Sequence, residues 1–337
     1  MSQKISIIPG DGIGPEIMKA TLRTLDAMQL DLEYEFVEAG LVALEQVGEL
    51  LPKSTLESVA RNRILLKGPL TTPVGKGFRS LNVTLRKEFD LYANVRPVIS
   101  MPGTRSHFGD IDIITVRENT QGAYLAADAA ISDDGTRAES KMVVTRDGCT
   151  RIAEYAYELA RSAGRKKVTI VHKANILKHV SGMFLDIARD VAAVYPDIET
   201  EEMIVDATCM KLVMNPWQFD VIVTTNLFGD IISDLCAGLV GGLGLAPGAN
   251  IGEHAAMFEA VHGSAPDIAG QKLANPIALM LAAAQMLSHI GLQHDAQRLR
   301  CAIRECLKTG DTELLTPDVG GHGTTDTLAQ SVIDHLP

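Results

Sequence analysis

Short, almost wholly apolar runs separated by helix-length amphipathic segments recur along this chain, and few folds accommodate that alternation. Residues 5–8, 63–67, 111–116, 168–171, 204–206 and 221–225 read as strands. They are too short for helices and most lack a polar face, as expected of strands covered on both sides. Helical patterns at 149–163, 179–194 and 277–290 fall between several of them. The alternation predicts an α/β fold with much parallel pairing. Two stretches break the rhythm. Residues 125–148 mix Ser, Asp and Gly with apolar residues and read as an extended excursion or hairpin. Residues 238–252 are rich in Gly and small apolar residues and read as a loop with close backbone contacts. A chain of 337 residues with 46% hydrophobic content is long enough for two packed domains.

The first strand ends in Gly10-Asp-Gly-Ile-Gly14, and Pro15 with Glu16 opens a helix. Such a sequence invites comparison with a phosphate cradle, but the spacing is GxGxG rather than GxGxxG, and Pro15 lacks the N–H that would meet a phosphate. A tight structural turn is the expected reading. A net charge of -11 gives no electrostatic reason to approach nucleic acid or an anionic membrane, and no apolar run has the length of a membrane span. The five cysteines form no CxxC pair, and Met1-Ser-Gln-Lys leads straight into a strand pattern without the features of a signal peptide. A reduced, cytoplasmic protein is therefore expected.

The most informative local pattern is Thr225-Asn-Leu-Phe-Gly-Asp230-Ile-Ile-Ser-Asp234. A strand runs into a helix that carries two carboxylates at i and i+4, on one face. Paired hard oxygen donors suit Mg²⁺ or Mn²⁺. An arbitrary pair at this spacing is more often an N-cap and a solvated side chain. Here the apolar setting and a third carboxylate, Asp206, at the end of another expected buried strand favour the metal. Arg86, Arg96 and Arg117, with Ser80 and Asn82, form a second set. Guanidinium forks with a hydroxyl and an amide suit a substrate bearing several carboxylates, although separate surface pairs are the default for scattered arginines. Lys173 and Tyr124 are candidate proton carriers, though a lone lysine is usually solvated.

Six blocks together resemble the isocitrate/isopropylmalate dehydrogenase family. They are Gly10-Asp-Gly-Ile-Gly-Pro15, Lys67-Gly-Pro-Leu-Thr71-Thr-Pro, Asp90-Leu-Tyr-Ala-Asn-Val-Arg-Pro97, Arg117-Glu-Asn-Thr, Asn226-Leu-Phe-Gly-Asp-Ile-Ile-Ser-Asp234 and His262-Gly-Ser-Ala-Pro-Asp-Ile-Ala-Gly270. The likeness runs in order from residue 5 to about residue 335. It implies a two-domain α/β fold of that family, with mixed sheets flanked by helices, and not a Rossmann fold. Residues 1–92 and 241–337 would form a large domain containing both termini and the adenosine site. Residues 93–240 would form a small domain whose excursion at about 125–148 clasps a second copy. The implied reaction is metal-assisted oxidative decarboxylation of a 2-hydroxy acid with a further carboxylate at C3.

The resemblance also assigns roles. Asp230 and Asp234 would hold Mg²⁺ or Mn²⁺, with Asp206 and the base Lys173 supplied by the second copy of a homodimer. Tyr124 would protonate the enol, and Arg86, Arg96 and Arg117 would clamp carboxylates. The stretch from Arg79 to Asn82 resembles the isocitrate branch, where Ser80 and Asn82 hold the distal carboxylate. Isopropylmalate would leave that hydroxyl and amide unpaired, at about 1–3 kcal/mol each. Homoisocitrate, one methylene longer, or another 3-substituted malate is the alternative substrate, since a methylene discriminates by only about 1–3 kcal/mol. A non-catalytic regulatory subunit is the less favoured alternative, because the catalytic groups are all present. Asp267 and Ile268 resemble NAD enzymes, in which the carboxylate meets the adenosine ribose. Thr71, His262, Gly263, Ser264, Ala265, Pro266, Asn275 and the loop 241–245 would complete that site. The expected enzyme is thus an NAD-dependent isocitrate dehydrogenase forming 2-oxoglutarate and CO₂. Gln121 departs from the family pattern, which often has Glu there.

Overall fold

The structure, a computed structural model, describes residues 2–72, 80–104 and 106–337. Its strands among these residues are β1 (Gln3–Ile8), β2 (Leu32–Phe36), β3 (Ile64–Lys67), β4 (Ala93–Ile99), β5 (Asp112–Glu118), β6 (Gly122–Ile131), β7 (Ala138–Val143), β8 (Lys167–His172), β9 (Glu199–Ile204), β10 (Val221–Thr224), β11 (Pro247–Ile251) and β12 (Ala256–Ala260). Ten of them make one sheet in the order β2-β1-β3-β12-β11-β4-β5-β10-β8-β9, and β6 and β7 pair as a separate ribbon. The outer pairings of the sheet are parallel. The central ones, β12 with β11, β11 with β4 and β4 with β5, are antiparallel. This is the mixed α/β architecture expected. Strands from residues 1–92 and 241–337 occupy one half of the sheet, and those from 93–240 occupy the other.

Alternation along the strands divides the core between two faces. On one face a single large cluster packs under the helices Gly14–Ala27, Arg146–Ser162, Val180–Ala192, Ile277–His289 and Gln293–Lys308. On the other face the apolar cover is split in two. One cluster includes Ile113, Ile222 and Ile232; the other includes Ile8, Leu65 and Met257. Between them the same strands turn polar. Lys67, Glu259, Asn250, Asn94, Arg96 and Arg117 are all buried there.

The polar strip is held by bonds across the sheet. Lys67 and Glu259 are register partners on β3 and β12, and their charges meet at 2.7 Å. The Asn250 amide donates to Glu259 at 2.8 Å, and Asn94 and Asn119 donate to the Asn250 carbonyl at 2.7 and 3.0 Å. Burial alone would raise the Glu259 carboxyl; Lys67 and Arg86 outweigh it and hold it well below the usual glutamate range.

Several elements differ from the sequence reading. β9 ends at Ile204, so Asp206 does not close a buried strand; it lies in the first turn of the helix Val205–Met214, and its side chain is 70% exposed. β9 is an edge strand whose largely polar sequence hid it. Residues 238–252 are not one loop: the helix Asn226–Leu239 ends there, and β11 runs through the middle of the sheet despite its Pro and Gly. β4 contains Pro97, tolerated because its pairing with β11 covers only Ala93 to Val95. The excursion at 125–148 is the ribbon β6–β7 followed by the start of the helix Arg146–Ser162. All five cysteines are free, and among the described residues no helix is long and apolar enough to cross a membrane.

Glu259→Leu is expected to lower stability by about 3–5 kcal/mol in urea titrations, because Lys67 and Arg86 are left as unpaired buried charges. Adding Lys67→Met should restore part of that loss, Arg86 remaining unpaired. Since Glu259 is depressed when folded, its contribution is complete above the ordinary glutamate range and disappears only as pH falls far below it. A double variant no more stable than Glu259→Leu alone would argue against this account.

Candidate active site

The helix Leu81–Glu88 sits beside the polar strip. Ser80 is its N-cap residue, yet its exposed hydroxyl makes no capping bond. Asn82 and Arg86 share a face one turn apart, and the Arg86 guanidinium donates to Glu259 at 3.1 Å. Arg79, at the start of this stretch, lies outside the described residues.

Arg96 and Arg117 come from the neighbouring strands β4 and β5 and meet the helix Asn226–Leu239. Arg117, only 1% exposed, donates to Asn226 Oδ1 at 3.0 Å and to Asp230, and its guanidinium lies 4.8 Å above the Tyr124 ring. Tyr124 Oη donates to Asp230 Oδ2 at 2.5 Å. Arg96 donates to Ser233 Oγ at 2.6 Å and to Asp234 at 3.2 Å. Close packing makes this possible: a Cβ on Gly229 would stand 2.7 Å from the Arg117 Cβ.

These charges act on one another. Burial, with Arg117 and Arg86 nearby, lowers Arg96 to about 10, so it stays cationic at neutral pH. Burial also lowers Arg117, against the pull of Asp230. For Asp230 burial is opposed and outweighed by Arg117, Tyr124 and Arg96, and its pKa falls. Asp234 is raised, first by burial and also by Asp230. Tyr124 is raised by burial and by its bond to Asp230, so its hydroxyl keeps its proton. Five buried polar atoms here have no partner among the described residues: Nε of Arg86, Arg96 and Arg117, Asn82 Oδ1 and Asn226 Nδ2. Buried groups left unpaired cost about 1–3 kcal/mol each, so their clustering marks a place built for a polar ligand.

Not every expected residue joins this cluster. Lys173 pairs with Asp206 at 2.5 Å, which lowers the Asp206 carboxyl. Among the described residues no three metal-ligating side chains converge. One chain therefore brings together Tyr124, Asp230, Asp234 and the three arginines, while Lys173 and Asp206 form a separate pair. Lys67, Glu259, Asn250 and Asn94 were not singled out from the sequence. Their signal was a charge or amide inside an otherwise buried strand.

The glycine turn packs against protein, as expected. Gly10 and Gly12 have positive φ, and Cβ atoms on them would strike the carbonyls of Pro69 and Ser264. Asp11 accepts bonds from the backbone of Leu41 at 2.9 Å and Thr71 at 2.7 Å. The Thr71 and Ser264 hydroxyls meet at 2.7 Å. His262 places Nδ1 3.0 Å from the Gly263 carbonyl, leaves Nε2 buried without a partner, and is lowered by burial. Gly263, Pro266 and Asp267 are exposed, Ala265 has a φ of 38°, and Ile268 packs on the large core. Asn275 is committed to Asp318 at 2.9 Å. Gln121 clamps Thr145 through two bonds of 2.8 Å, where Thr145 caps the helix Arg146–Ser162.

Residues 4–335 match the family described as isocitrate/isopropylmalate dehydrogenase. The chain is 53% identical to the crystal structure of isocitrate dehydrogenase from Methylococcus capsulatus, with a TM-score of 0.96 over 100% of this chain and 99% of that one. It is 47% identical to the isocitrate dehydrogenase [NAD] catalytic subunit 5, mitochondrial, of Arabidopsis thaliana over 98% of this chain and 88% of that protein. It is 46% identical to the 3-isopropylmalate dehydrogenase of Archaeoglobus fulgidus over 99% of both. The chain belongs to the isocitrate/isopropylmalate dehydrogenase family and is an enzyme of that family. Both substrates are represented among relatives of nearly equal identity.

Gly229→Ala should displace Arg117 and lower kcat/KM by about tenfold or more. Gly238→Ala on the same helix meets open space and should leave the rate near normal. Equal rates for the two variants would dissociate Arg117 packing from turnover.

Proposed function

We propose that the protein is an NAD-dependent isocitrate dehydrogenase, oxidising the C2 alcohol and releasing the C3 carboxylate as CO₂ to give 2-oxoglutarate. The observation that carries this reading is a Ser80 hydroxyl that makes no capping bond and an Asn82 side chain whose buried Oδ1 has no partner among the described residues, at the start of the helix that also bears Arg86. An isopropyl group beside them would offer no acceptor, whereas a distal carboxylate would accept from the Ser80 hydroxyl and the Asn82 side-chain N–H.

In this reading Arg86, Arg96 and Arg117 bind and orient the substrate carboxylates through forked, permanently charged donors. Asp230 and Asp234 would hold Mg²⁺ or Mn²⁺ together with Asp206 of a second copy; hard oxygen donors, few in number, with substrate completing the shell, suit either ion. When bound, the metal would supply Lewis-acid polarisation of the C2 oxygen, and NAD would supply the hydride acceptor. Lys173 of the second copy accepts the hydroxyl proton. Tyr124, held protonated by its surroundings, delivers a proton to C3 after CO₂ leaves. Thr71, His262, Gly263, Ser264, Ala265, Pro266, Asp267, Ile268 and Asn275 would hold the cofactor, with the exposed Asp267 carboxylate favouring NAD over a 2′-phosphate.

Exposed apolar side chains support a homodimer. Met210, Val213 and Met214 lie on the helix that carries Asp206, and Leu227 and Ile231 on the helix that carries Asp230. Covering both faces with a second copy would remove apolar surface from water and bring the two carboxylate sets towards each other. The two sheet halves support a hinged division near residues 93 and 241. Five free cysteines fit a reducing, cytoplasmic compartment.

Initial rates on isocitrate, homoisocitrate and 3-isopropylmalate, each with NAD and NADP, first with Mn²⁺ and then with EDTA, test the reading. Activity should be confined mainly to isocitrate, NAD and metal; a faster rate on either other acid moves the substrate. Lys173→Met should abolish turnover while leaving the dimer folded by circular dichroism and sedimentation. Asp267→Lys with Ile268→Tyr should shift preference towards NADP, and an unchanged NAD/NADP ratio would sink the adenosine-site assignment.

A further inference from the structure

Neighbouring residues of a strand face opposite sides of the sheet, so the strands that build the active site also build something behind it. Arg96 and Glu259 face the polar strip. Val95, Pro97, Ala249, Ile251 and Phe258 face the other way and floor a cleft of about 790 Å³. The helix Arg146–Ser162 forms one wall, and the helices Ile277–His289 and Gln293–Lys308 form the other. A volume of this order is typical of sites for small molecules, about 300–1,000 Å³.

Charge singles this cleft out. In a chain of net charge -11, no Asp or Glu among the described residues lines it, whereas Arg165, Arg300 and Arg304 do. Arg165 is already matched by Asp112 at 2.6 Å and Asp220 at 3.0 Å. Arg300 and Arg304 are not: they stand one helical turn apart, and neither has a carboxylate partner among the described residues. Arg300 is half-buried and donates to the Ser288 hydroxyl at 3.0 Å and the Ala284 carbonyl at 3.3 Å. Glu305, beside Arg304 in sequence, pairs with Lys308 at 3.3 Å. Gln285, also lining the cleft, has its buried Oε1 without a partner among the described residues. Two uncompensated guanidinium groups over an apolar floor match a molecule that is anionic at one end and apolar at the other.

We propose that this cleft binds a small organic anion with a flat apolar body. Its carboxylate or phosphate rests on Arg300 and Arg304, and its body lies against Pro97, Ile251 and Phe258. The site is separate from the arginine and aspartate cluster by the thickness of the sheet, and it stands whether or not isocitrate is the substrate.

Cys301 supplies a reporter, because it lines the cleft and is exposed while Cys149, Cys236 and Cys306 are buried. The probe is 1-naphthyl phosphate, added to the holoenzyme with NAD and Mn²⁺ saturating. It should bind by calorimetry and slow the alkylation of Cys301 by iodoacetamide, followed by peptide mass mapping. Inorganic phosphate and 1-naphthol should each protect far less. Arg300→Gln with Arg304→Gln should weaken binding by about tenfold or more, the scale of losing charged hydrogen bonds. Gln297→Glu, an exposed change that adds a negative charge at the mouth, should weaken it several-fold without touching the fold. No protection and no heat at millimolar probe, or wild-type affinity in both variants, would overturn the proposal.

Discussion

Glu259 is the carboxylate on which the middle of the molecule depends. Fully enclosed, it receives Lys67 from the adjoining strand, Arg86 from the helix Leu81–Glu88 and the amide of Asn250. Removing a carboxylate from water is costly, and only several donors in good geometry offset it. Its position therefore fixes theirs. Arg86 is aimed from beneath by Glu259, and Asn250 holds Asn94 and Asn119 in turn. A polar strip that would be unstable as isolated groups becomes a rigid base between two apolar clusters.

On that base stands a set of arginines and aspartates whose charges balance internally. Arg117 meets Asp230, and Arg96 bridges to both Asp230 and Asp234. The cations are buried but paired, and each keeps an Nε without a partner. The pairing keeps buried guanidinium groups in place, so an incoming anion would have to exchange with the aspartates for the arginine N–H groups. Tyr124 belongs to the same arrangement, since the carboxylate that accepts its hydroxyl also accepts Arg117.

How much of this was legible in the sequence follows from locality. β1, β3, β5, β8 and β10 are continuous apolar runs, and their existence could be read directly. β4, β11 and β12 could not, because Asn94, Arg96, Asn250 and Glu259 interrupt them, and those residues are buried only by virtue of one another. A pair such as Arg86 and Glu259, 173 positions apart, leaves no trace in local periodicity. Arg117 closes an apolar run, and Asp230 and Asp234 follow another, so they were legible locally; Tyr124 stood out only through the family resemblance. Asp206 was placed on the wrong element because a polar edge strand beside a helix start looks, locally, like the end of a buried strand.

The clamp between Gln121 and Thr145 bears on how the ribbon tolerates change. It ties the point where the chain leaves the sheet to the point where it re-enters a helix, so the loop between them is closed at its base. The turn at residues 132–137 is exposed and its bonds are local, Asp134 accepting from Ser132 and Thr136 and Arg137 pairing with Glu139. Length variation at that tip is mechanically isolated from Tyr124, which lies next to the clamp. The ribbon can thus be lengthened, shortened or tagged at its tip while Tyr124 keeps its place, which makes that turn the natural position for an inserted probe.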